Sequence, residues 1–219
     1  MKNSFAVIFD MDGVLVDNRD FHYRTWMLFC RKHNIEITEE QFLKVFGGSS
    51  RENLENLLGK KLSDTEVAAY SDEKEQMYRE LYRPHLKPVK GLKNFLDKLK
   101  NSGIDMAIAT SAPLANAEFV IEEAGLQGYF NLVVHEAMLK HNKPHPEVYL
   151  KTAGILGYKP AQCFAFEDSP KGIESAYRAG MKVIGVATTF PAEKIRNTDY
   201  IIKNFTEIDP EKLYVLFKQ

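Results

Sequence analysis

The sequence predicts a two-domain α/β protein, in which one domain contains a parallel sheet of the Rossmann-like kind and the other contains only helices. Two patterns predict this division. After residue 86, short apolar runs alternate with helical patterns of about ten residues, which is typical of right-handed βαβ crossovers. Between residues 19 and 82, helical patterns follow one another with no strand pattern among them. A chain of 219 residues is long enough for both domains.

The composition sets the broad class of protein. Hydrophobic residues make up 44% of the chain and charged residues 27%, and the net charge of −1 gives no reason to expect binding to nucleic acid or to a membrane. No apolar stretch approaches the ~18 residues that span a bilayer and no signal peptide is visible, so we expect a cytoplasmic protein. Cys30 and Cys163 lie in apolar patterns and are expected to be buried free thiols. The sequence is silent on assembly, for which we expect a monomer or a weak dimer.

The chain opens on a strand that ends in two acidic residues. Residues 5–9 form an unbroken apolar run into Asp10 and Asp12, the pattern of a strand buried on both faces. Side chains two residues apart in extended backbone point the same way, so both carboxylates are expected at the end of a central strand, where open α/β sheets bind ligands. Two close carboxylates repel each other and require a positive group or a raised pKa. The alternative is that they cap a helix or shape a turn.

Residues 19–82 are interpreted as a helical insertion directly after the first strand, placed where a lid over a site would be useful. The predicted domains are a core of residues 1–16 with 86–219, and a helical cap of residues 17–85. Pro84 and Pro88 bracket the linker that leads back to the core. The insertion comprises a helix from Phe21 to about Asn34, a second opened by a capping box at Thr38–Gln41, a loop at 47–50, a third helix from Arg51, and a fourth from the Ser63–Glu66 capping box to about Tyr82.

The rest of the chain alternates between strands and helices. The predicted strands are 104–109, 132–134, 163–166, 182–187 and 200–202. The predicted helices are 91–101, 113–124, 146–156, 170–179 and 210–217.

Polar residues stand at equivalent places after these strands or before these helices. Thr110 and Ser111 follow the second strand, where hydroxyl and N–H groups at a helix start suit a phosphate. Lys143 precedes a helix and adds a point charge, and Glu167 and Asp168 follow the fourth strand, where a third carboxylate can complete a Mg²⁺ site. In a doubly wound sheet these groups converge on the first strand. Each has a plainer alternative: helix caps for Thr110 and Ser111, a surface lysine, and an ordinary loop-to-helix junction.

Taken together, these residues resemble the haloacid dehalogenase-like (HAD) superfamily of phosphotransferases. The resemblance covers essentially the whole chain and rests on Asp10–Val14, Thr110, Lys143 and Glu167–Asp168. It implies a Rossmann-like core with the helical cap of subclass I. It also implies that Asp10 is the nucleophile, that Asp12 is the general acid and base, and that Thr110 and Lys143 bind phosphate.

The resemblance further implies a metal site for Mg²⁺. The ligands would be Asp10, Asp168 and the backbone carbonyl of Asp12, with Glu167 close by. The chemistry is consistent, since an ionised carboxylate attacks phosphorus without an activating base. Attack on an anionic ester requires positive charge, which Mg²⁺ and Lys143 would supply. The product of the first step is an aspartyl phosphate.

Within the cap, the sequence resembles β-phosphoglucomutases and related phosphatases. By that resemblance His22 would lie at the cap hinge, and Arg51 and Lys74 would contact the substrate. The plainer alternatives are a structural histidine, a solvated first-turn arginine and a lysine within a charged run. Asn18 stands where those mutases usually have Thr, and the segment Val186–Pro191 is more similar to the phosphatases.

The predicted function is Mg²⁺-dependent hydrolysis of a small phosphorylated metabolite, most simply a sugar phosphate. A β-phosphoglucomutase, with a second sugar hydroxyl as acceptor, is the main alternative. A 2-haloacid dehalogenase would also use Asp10 but needs no Mg²⁺, which leaves Asp168 unexplained. A non-catalytic binding protein would usually lack at least one of the four motifs, and none is missing here.

Overall fold

The computed structural model describes residues 4–38 and 50–218. The chain divides into two compact units, Met1–Asp17 with Leu86–Gln219 and Asn18–His85. We call them the core unit and the helical unit. All of the predicted capping box at Thr38–Gln41 except Thr38, the helix expected after it and most of the loop at 47–50 lie outside the described residues.

The core unit is built on a six-stranded parallel sheet in the order β3-β2-β1-β4-β5-β6, the strand order of the Rossmann fold. The order reverses between β1 and β4, which therefore border the position where such sheets bind ligands. The predicted α/β fold class is confirmed. The strands are β1 (Ala6–Phe9), β2 (Met106–Ala109), β3 (Leu132–Val134), β4 (Cys163–Glu167), β5 (Lys182–Val186) and β6 (Tyr200–Ile202).

One set of helices forms the helical unit, and another set connects the strands of the core unit. Those of the helical unit are α1 (Arg19–Lys32), α2 (Ser50–Leu58) and α3 (Asp64–Tyr82). Those of the core unit are α4 (Leu92–Asn101), α5 (Leu114–Glu123), α6 (Glu147–Leu156), α7 (Pro170–Arg178) and α8 (Pro210–Phe217).

The central strand β1 is fully buried because both of its faces are covered. Ala6 and Ile8 belong to an apolar cluster on one face of the sheet, together with side chains of α6 and α7. On the other face, Phe9 stacks on Phe166 of β4 with ring centroids 5.0 Å apart, and Phe95 and Phe205 complete an aromatic cluster. Such ring pairs contribute about 0.5–1.5 kcal/mol each beyond burial of their area. This packing on both faces holds the carboxyl end of β1 in place.

Most predicted element ends agree with the structure to within one residue, but α1 runs from Arg19 to Lys32 rather than from Phe21 to about Asn34, and one strand begins later than expected. The second strand was expected from residue 104 but begins at Met106. Gly103 has φ +68, and the amide of Ile104 donates to the carbonyl of Leu99. This bond satisfies a free carbonyl at the end of α4, so Ile104 belongs to the helix terminus. The fourth strand extends one residue further than expected and includes Glu167.

The helical unit has its own apolar cluster. Trp26 and Phe29 of α1 pack with Leu54 of α2 and with Leu62. Ser63 accepts a hydrogen bond from the amide of Glu66, whose carboxylate accepts one from the amide of Ser63. This confirms the predicted capping box at the start of α3, which satisfies amides that the helix cannot pair internally.

Two further expectations concern the chain as a whole. Cys30 and Cys163 are both free and buried, as the sequence predicts. Along the part of the chain that the structure describes, no helix combines the length and the apolar character needed to cross a membrane.

Candidate active site

The first acidic residue lies directly beyond β1. The amide of Asp10 donates to the carbonyl of Phe166 at 2.9 Å, which fixes its backbone against β4. Asp10 is buried. The chain then turns at residues 13–15, where the amide of Leu15 donates to the carbonyl of Met11, and Asp12 pairs with Val16 across the turn in an isolated β-bridge. Asp12 therefore lies two residues beyond Asp10 at the start of this turn, close enough for its charge to raise the pKa of Asp10.

Gly13 is required by this turn for two reasons. Its φ is +77, a backbone conformation that favours glycine. A β-carbon at this position would also overlap the carboxylate of Asp168 and the hydroxyl of Thr189. The hydroxyl of Thr188 donates to the carbonyl of Gly13. The turn after β1 therefore packs directly against the loops that follow β4 and β5.

Lys143 links two of the predicted acidic residues. Its Nζ donates to Asp10 Oδ1 at 2.8 Å and to Glu167 Oε1 at 2.5 Å, and lies 3.3 Å from the carbonyl oxygen of Ala109. Its side chain is 10% exposed, so it is not the surface lysine of the plainer alternative. The peptide bond to Pro144 is cis. The structure thus brings Lys143 and Asp10 together across 133 residues of sequence.

Glu167 is fully buried and has protein donors on both oxygens. Oε1 accepts from Lys143 and from the hydroxyl of Tyr149 at 2.7 Å. Oε2 accepts from the amide of Asp168 at 3.1 Å and from the Ser169 hydroxyl at 3.3 Å. The junction between β4 and α7 is therefore more than a helix start, although Ser169 also caps α7 through the amide of Gly172.

The charges of this cluster shift each other's pKa values. Burial raises the pKa of Asp10 well above its usual value, Lys143 opposes this, and Glu167 and Asp168 add to it. Burial, followed by the charge of Glu167, raises the pKa of Asp168 to about 7, against a hydrogen bond from Thr189. Burial alone would lower the pKa of Lys143, but the two carboxylates outweigh it and the net shift is upward. Three carboxyl groups lie beside one lysine, which bonds to two of them, so the site has an excess of negative charge when all three are ionised.

This excess fits a divalent cation. Asp10, Glu167 and Asp168 are buried, and one carboxylate oxygen from each lies within 4.8 Å of the others. Oxygen ligands of this kind suit a hard cation such as Mg²⁺ or Ca²⁺ rather than Zn²⁺. A bound cation would also offset the mutual repulsion that raises the pKa values of Asp10 and Asp168. The donor set therefore fits the predicted metal.

Thr110 and Ser111 follow β2 at the same edge of the sheet. Thr110 is buried, and its Oγ1 accepts from the amide of Ala112 at 3.0 Å. The N-cap of α5 is Pro113, with no side-chain cap bond, so neither hydroxyl caps the helix as the plainer alternative held. The Ser111 Oγ is buried and finds no hydrogen-bond partner among the described residues. A buried hydroxyl without a partner is costly, and a ligand group that bonded to it would remove that cost.

The three remaining predicted residues belong to the helical unit. His22 stacks on Tyr78 with ring centroids 4.1 Å apart, and Lys74 is buried, with its Nζ 2.7 Å from Glu75 Oε1 and 3.3 Å from His22 Nδ1. Lys74 is therefore not a solvated member of a charged run. The side chain of Arg51 pairs with Asp64.

Arg51 has further partners within the helical unit. It donates to the carbonyl of Leu62 at 2.7 Å and lies 3.4 Å from Glu55 Oε1. It is therefore an anchor between α2 and the start of α3 rather than a simply solvated residue. The substrate contacts expected of His22, Arg51 and Lys74 stay predictions.

Two residues of the site were not predicted from the sequence: Tyr149, and Thr189, whose hydrogen bond lowers the pKa of Asp168. Tyr149 lies on the buried face of α6, six residues after Lys143, and resembles a core residue in sequence. Burial and the charge of Glu167 raise the pKa of its hydroxyl well above the usual value, so it remains a hydrogen-bond donor. The available signal was the residue type, because a buried tyrosine hydroxyl usually requires a polar partner. Thr189 was noted only for its similarity to phosphatases.

Comparison with known proteins identifies the family. The family model of the haloacid dehalogenase-like hydrolases matches residues 7–186. A phosphorylated carbohydrates phosphatase of Thermotoga maritima is 32% identical over 183 residues, which cover 82% of this chain and 83% of the relative. A β-phosphoglucomutase of Bacillus subtilis is 28% identical over 222 residues, covering 98% and 96%. The crystal structure of a HAD hydrolase of family IA, variant 3, from Entamoeba histolytica matches all of both chains with 30% identity and a TM-score of 0.89.

The fold and the acidic edge of its sheet define an enzyme of the hydrolase or phosphotransferase class. The chain belongs to the haloacid dehalogenase-like hydrolases. The predicted family is thereby confirmed, while the roles of individual residues stay predictions.

The site generates a prediction about two helical glycines. A β-carbon on Gly172 of α7 would overlap the carboxylate of Glu167, whereas one on Gly154 of α6 would meet nothing within 4 Å. Alanine favours a helix over glycine by up to about 1 kcal/mol, so Gly154→Ala should raise the free energy of unfolding. Gly172→Ala should instead lower it by about 1–3 kcal/mol through overpacking. Urea unfolding measures both, and equal effects of the two substitutions would contradict the packing described for Glu167.

Proposed function

We propose that this protein is a Mg²⁺-dependent phosphatase that hydrolyses a small phosphorylated sugar, with Asp10 as the nucleophile. One observation carries the proposal: the buried carboxylate of Asp10 is hydrogen-bonded to Lys143 at the end of the central strand, beside Asp168. A carboxylate in this position needs no activating base, because its ionised form is already a nucleophile. Attack on phosphorus produces an aspartyl phosphate on Asp10.

Asp10 must be ionised to attack. Lys143 lowers its pKa, but burial and the neighbouring carboxylates raise it by more. Mg²⁺, when bound, neutralises negative charge on the carboxylates and on the phosphoryl group. Asp10, Asp168 and the backbone carbonyl of Asp12 are the proposed ligands. Glu167 is a weaker candidate ligand, because both of its oxygens already accept hydrogen bonds from the protein.

The remaining polar groups supply binding and proton transfer. The proposed role of Lys143 is to neutralise charge on the phosphoryl oxygens, which is supported by the hydrogen bond from its ammonium group to the proposed nucleophile. We assign the hydroxyls of Ser111 and Thr110 as hydrogen-bond donors to the phosphate. The Ser111 hydroxyl has no hydrogen-bond partner among the described residues. Asp12, on the turn after Asp10, is the proposed acid for the leaving oxygen and then the base for the attacking water.

The proposed substrate class is supported by related proteins rather than by the shape of a binding pocket. The Thermotoga maritima relative is a phosphatase of phosphorylated carbohydrates, and it aligns with 82% of this chain. A phosphorylated sugar is therefore the proposed substrate. Contacts from His22, Arg51 and Lys74, a cytoplasmic location and a monomeric or weakly dimeric state remain predictions from the sequence.

A β-phosphoglucomutase is the second candidate, because the Bacillus subtilis relative aligns with 98% of this chain. The two functions differ in whether water or a sugar hydroxyl accepts the phosphoryl group. Incubation with β-glucose 1-phosphate and other sugar phosphates, followed by ³¹P NMR with and without glucose 1,6-bisphosphate, measures both reactions in one sample. We expect release of inorganic phosphate to exceed isomerisation. Isomerisation that dominates and requires the bisphosphate would establish the mutase instead.

Replacement of the proposed nucleophile tests the mechanism. Asp10→Asn should abolish turnover, because an amide is a far poorer nucleophile than a carboxylate, while the nearly isosteric side chain preserves the fold. Asp97→Asn is a matched control, since Asp97 lies on α4 and its carboxylate bonds to Tyr129. Steady-state phosphate release should be lost in the first variant and unchanged in the second. Near wild-type turnover by Asp10→Asn would refute the mechanism.

Metal dependence gives a separate prediction. Three carboxylates with one lysine leave a net negative charge that opposes binding of a phosphate ester. Removal of divalent cations with excess chelator should therefore stop phosphate release, and added Mg²⁺ should restore it. Isothermal titration calorimetry of the metal-free protein should also detect Mg²⁺ binding that Asp168→Asn weakens. Full phosphate release in excess chelator would contradict the metal-dependent mechanism.

A further inference from the structure

Tyr149 is a buried residue whose only polar atom points into the carboxylate–lysine cluster. It lies on α6 and is fully buried. Its hydroxyl donates to Glu167 Oε1 at 2.7 Å, and the Nζ of Lys143 lies 3.4 Å from its oxygen. The same ammonium group lies 5.1 Å from the centroid of the tyrosine ring, within the range of a cation–π interaction. Tyr149 thus contacts both partners of the Lys143–Glu167 pair.

The ammonium group of Lys143 is attracted by two carboxylates at once, and its position depends on both. Its Nζ is 2.8 Å from Asp10 Oδ1 and 2.5 Å from Glu167 Oε1. Glu167 is fully buried, so water does not compensate for a donor that Oε1 loses. Without the tyrosine hydroxyl, Lys143 would be the remaining donor to that oxygen and would be drawn more strongly toward Glu167. It would then be displaced from Asp10.

We propose that Tyr149 is a positioning residue, whose hydroxyl satisfies Glu167 and so keeps the Lys143 ammonium group in contact with Asp10. This proposal rests on the phosphatase function proposed for the same site. Tyr149 touches no substrate in this scheme and acts only through Lys143 and Glu167. Its effect is therefore on the geometry of the group that stabilises charge during phosphoryl transfer.

The test uses Tyr149→Phe, which removes the hydroxyl and retains the ring. Tyr158→Phe is the matched control, because the hydroxyl of Tyr158 also donates to a carboxylate, Asp105 Oδ2 at 2.8 Å, away from the cluster. We expect kcat for phosphate release to fall about tenfold or more in Tyr149→Phe with little change in KM, as removal of a group that orients a catalytic contact does. Tyr158→Phe should retain wild-type kcat and KM.

A second readout follows Lys143 itself and does not depend on activity. Protein labelled with ¹⁵N-lysine gives NMR signals from ammonium groups that exchange slowly with water, and Lys143→Arg assigns the Lys143 signal by its loss. In Tyr149→Phe that signal should shift while the signals of other lysines stay in place, which also shows that the variant is folded. In Tyr158→Phe it should not move. An unmoved Lys143 signal with wild-type kcat in Tyr149→Phe would overturn the proposal.

The two readouts separate this proposal from the function on which it rests. If the wild-type protein releases no phosphate from any sugar phosphate but the Lys143 signal moves in Tyr149→Phe, the proposed function fails and the positioning contact stands. If the wild type is an active phosphatase and neither kcat nor the signal changes in the variant, Tyr149 is only a core residue.

Discussion

The candidate site depends on one interaction, the ammonium group of Lys143 held between the buried carboxylates of Asp10 and Glu167. Burying three acids within a few ångströms is costly, because each loses its hydration and repels the others. Lys143 offsets part of that cost and is itself held in its charged form by the two acids. Removing Lys143 from this cluster would leave the buried carboxylates uncompensated, which is usually strongly destabilising. The buried acids therefore depend on Lys143, and a bound cation would offset more of their charge.

The fold supplies the geometry of this set. Phe9 pairs with Phe166 across β1 and β4, so the next residue on each chain segment, Asp10 after β1 and Glu167 at the end of β4, lies beside the other at the position where the strand order reverses. Both strands are anchored by the aromatic cluster on one face and by the α6 and α7 helices on the other. Close packing resists small displacements, so the carboxylates are held where their repulsion alone would separate them.

The sequence predicted the residues whose position follows from chain order, and missed those whose position follows from tertiary packing. Asp10 and Asp168 could be assigned to one sheet edge because each follows an apolar run of strand length. Lys143 needed the family resemblance, since a lysine before a helix is ordinarily exposed. Tyr149 carries no local signal beyond its residue type, because its partner Glu167 lies 18 residues away on another element.

The central claim is that Asp10 accepts the phosphoryl group, and it is tested most directly by finding that group on the protein. Wild-type enzyme mixed with a sugar phosphate and quenched in acid within milliseconds should carry an acyl phosphate, which borohydride reduces to a stable alcohol. Mass spectrometry of the peptides then locates the modified residue. The account predicts modification at Asp10, carried on the peptide that spans the end of β1. Modification at any other residue would contradict it.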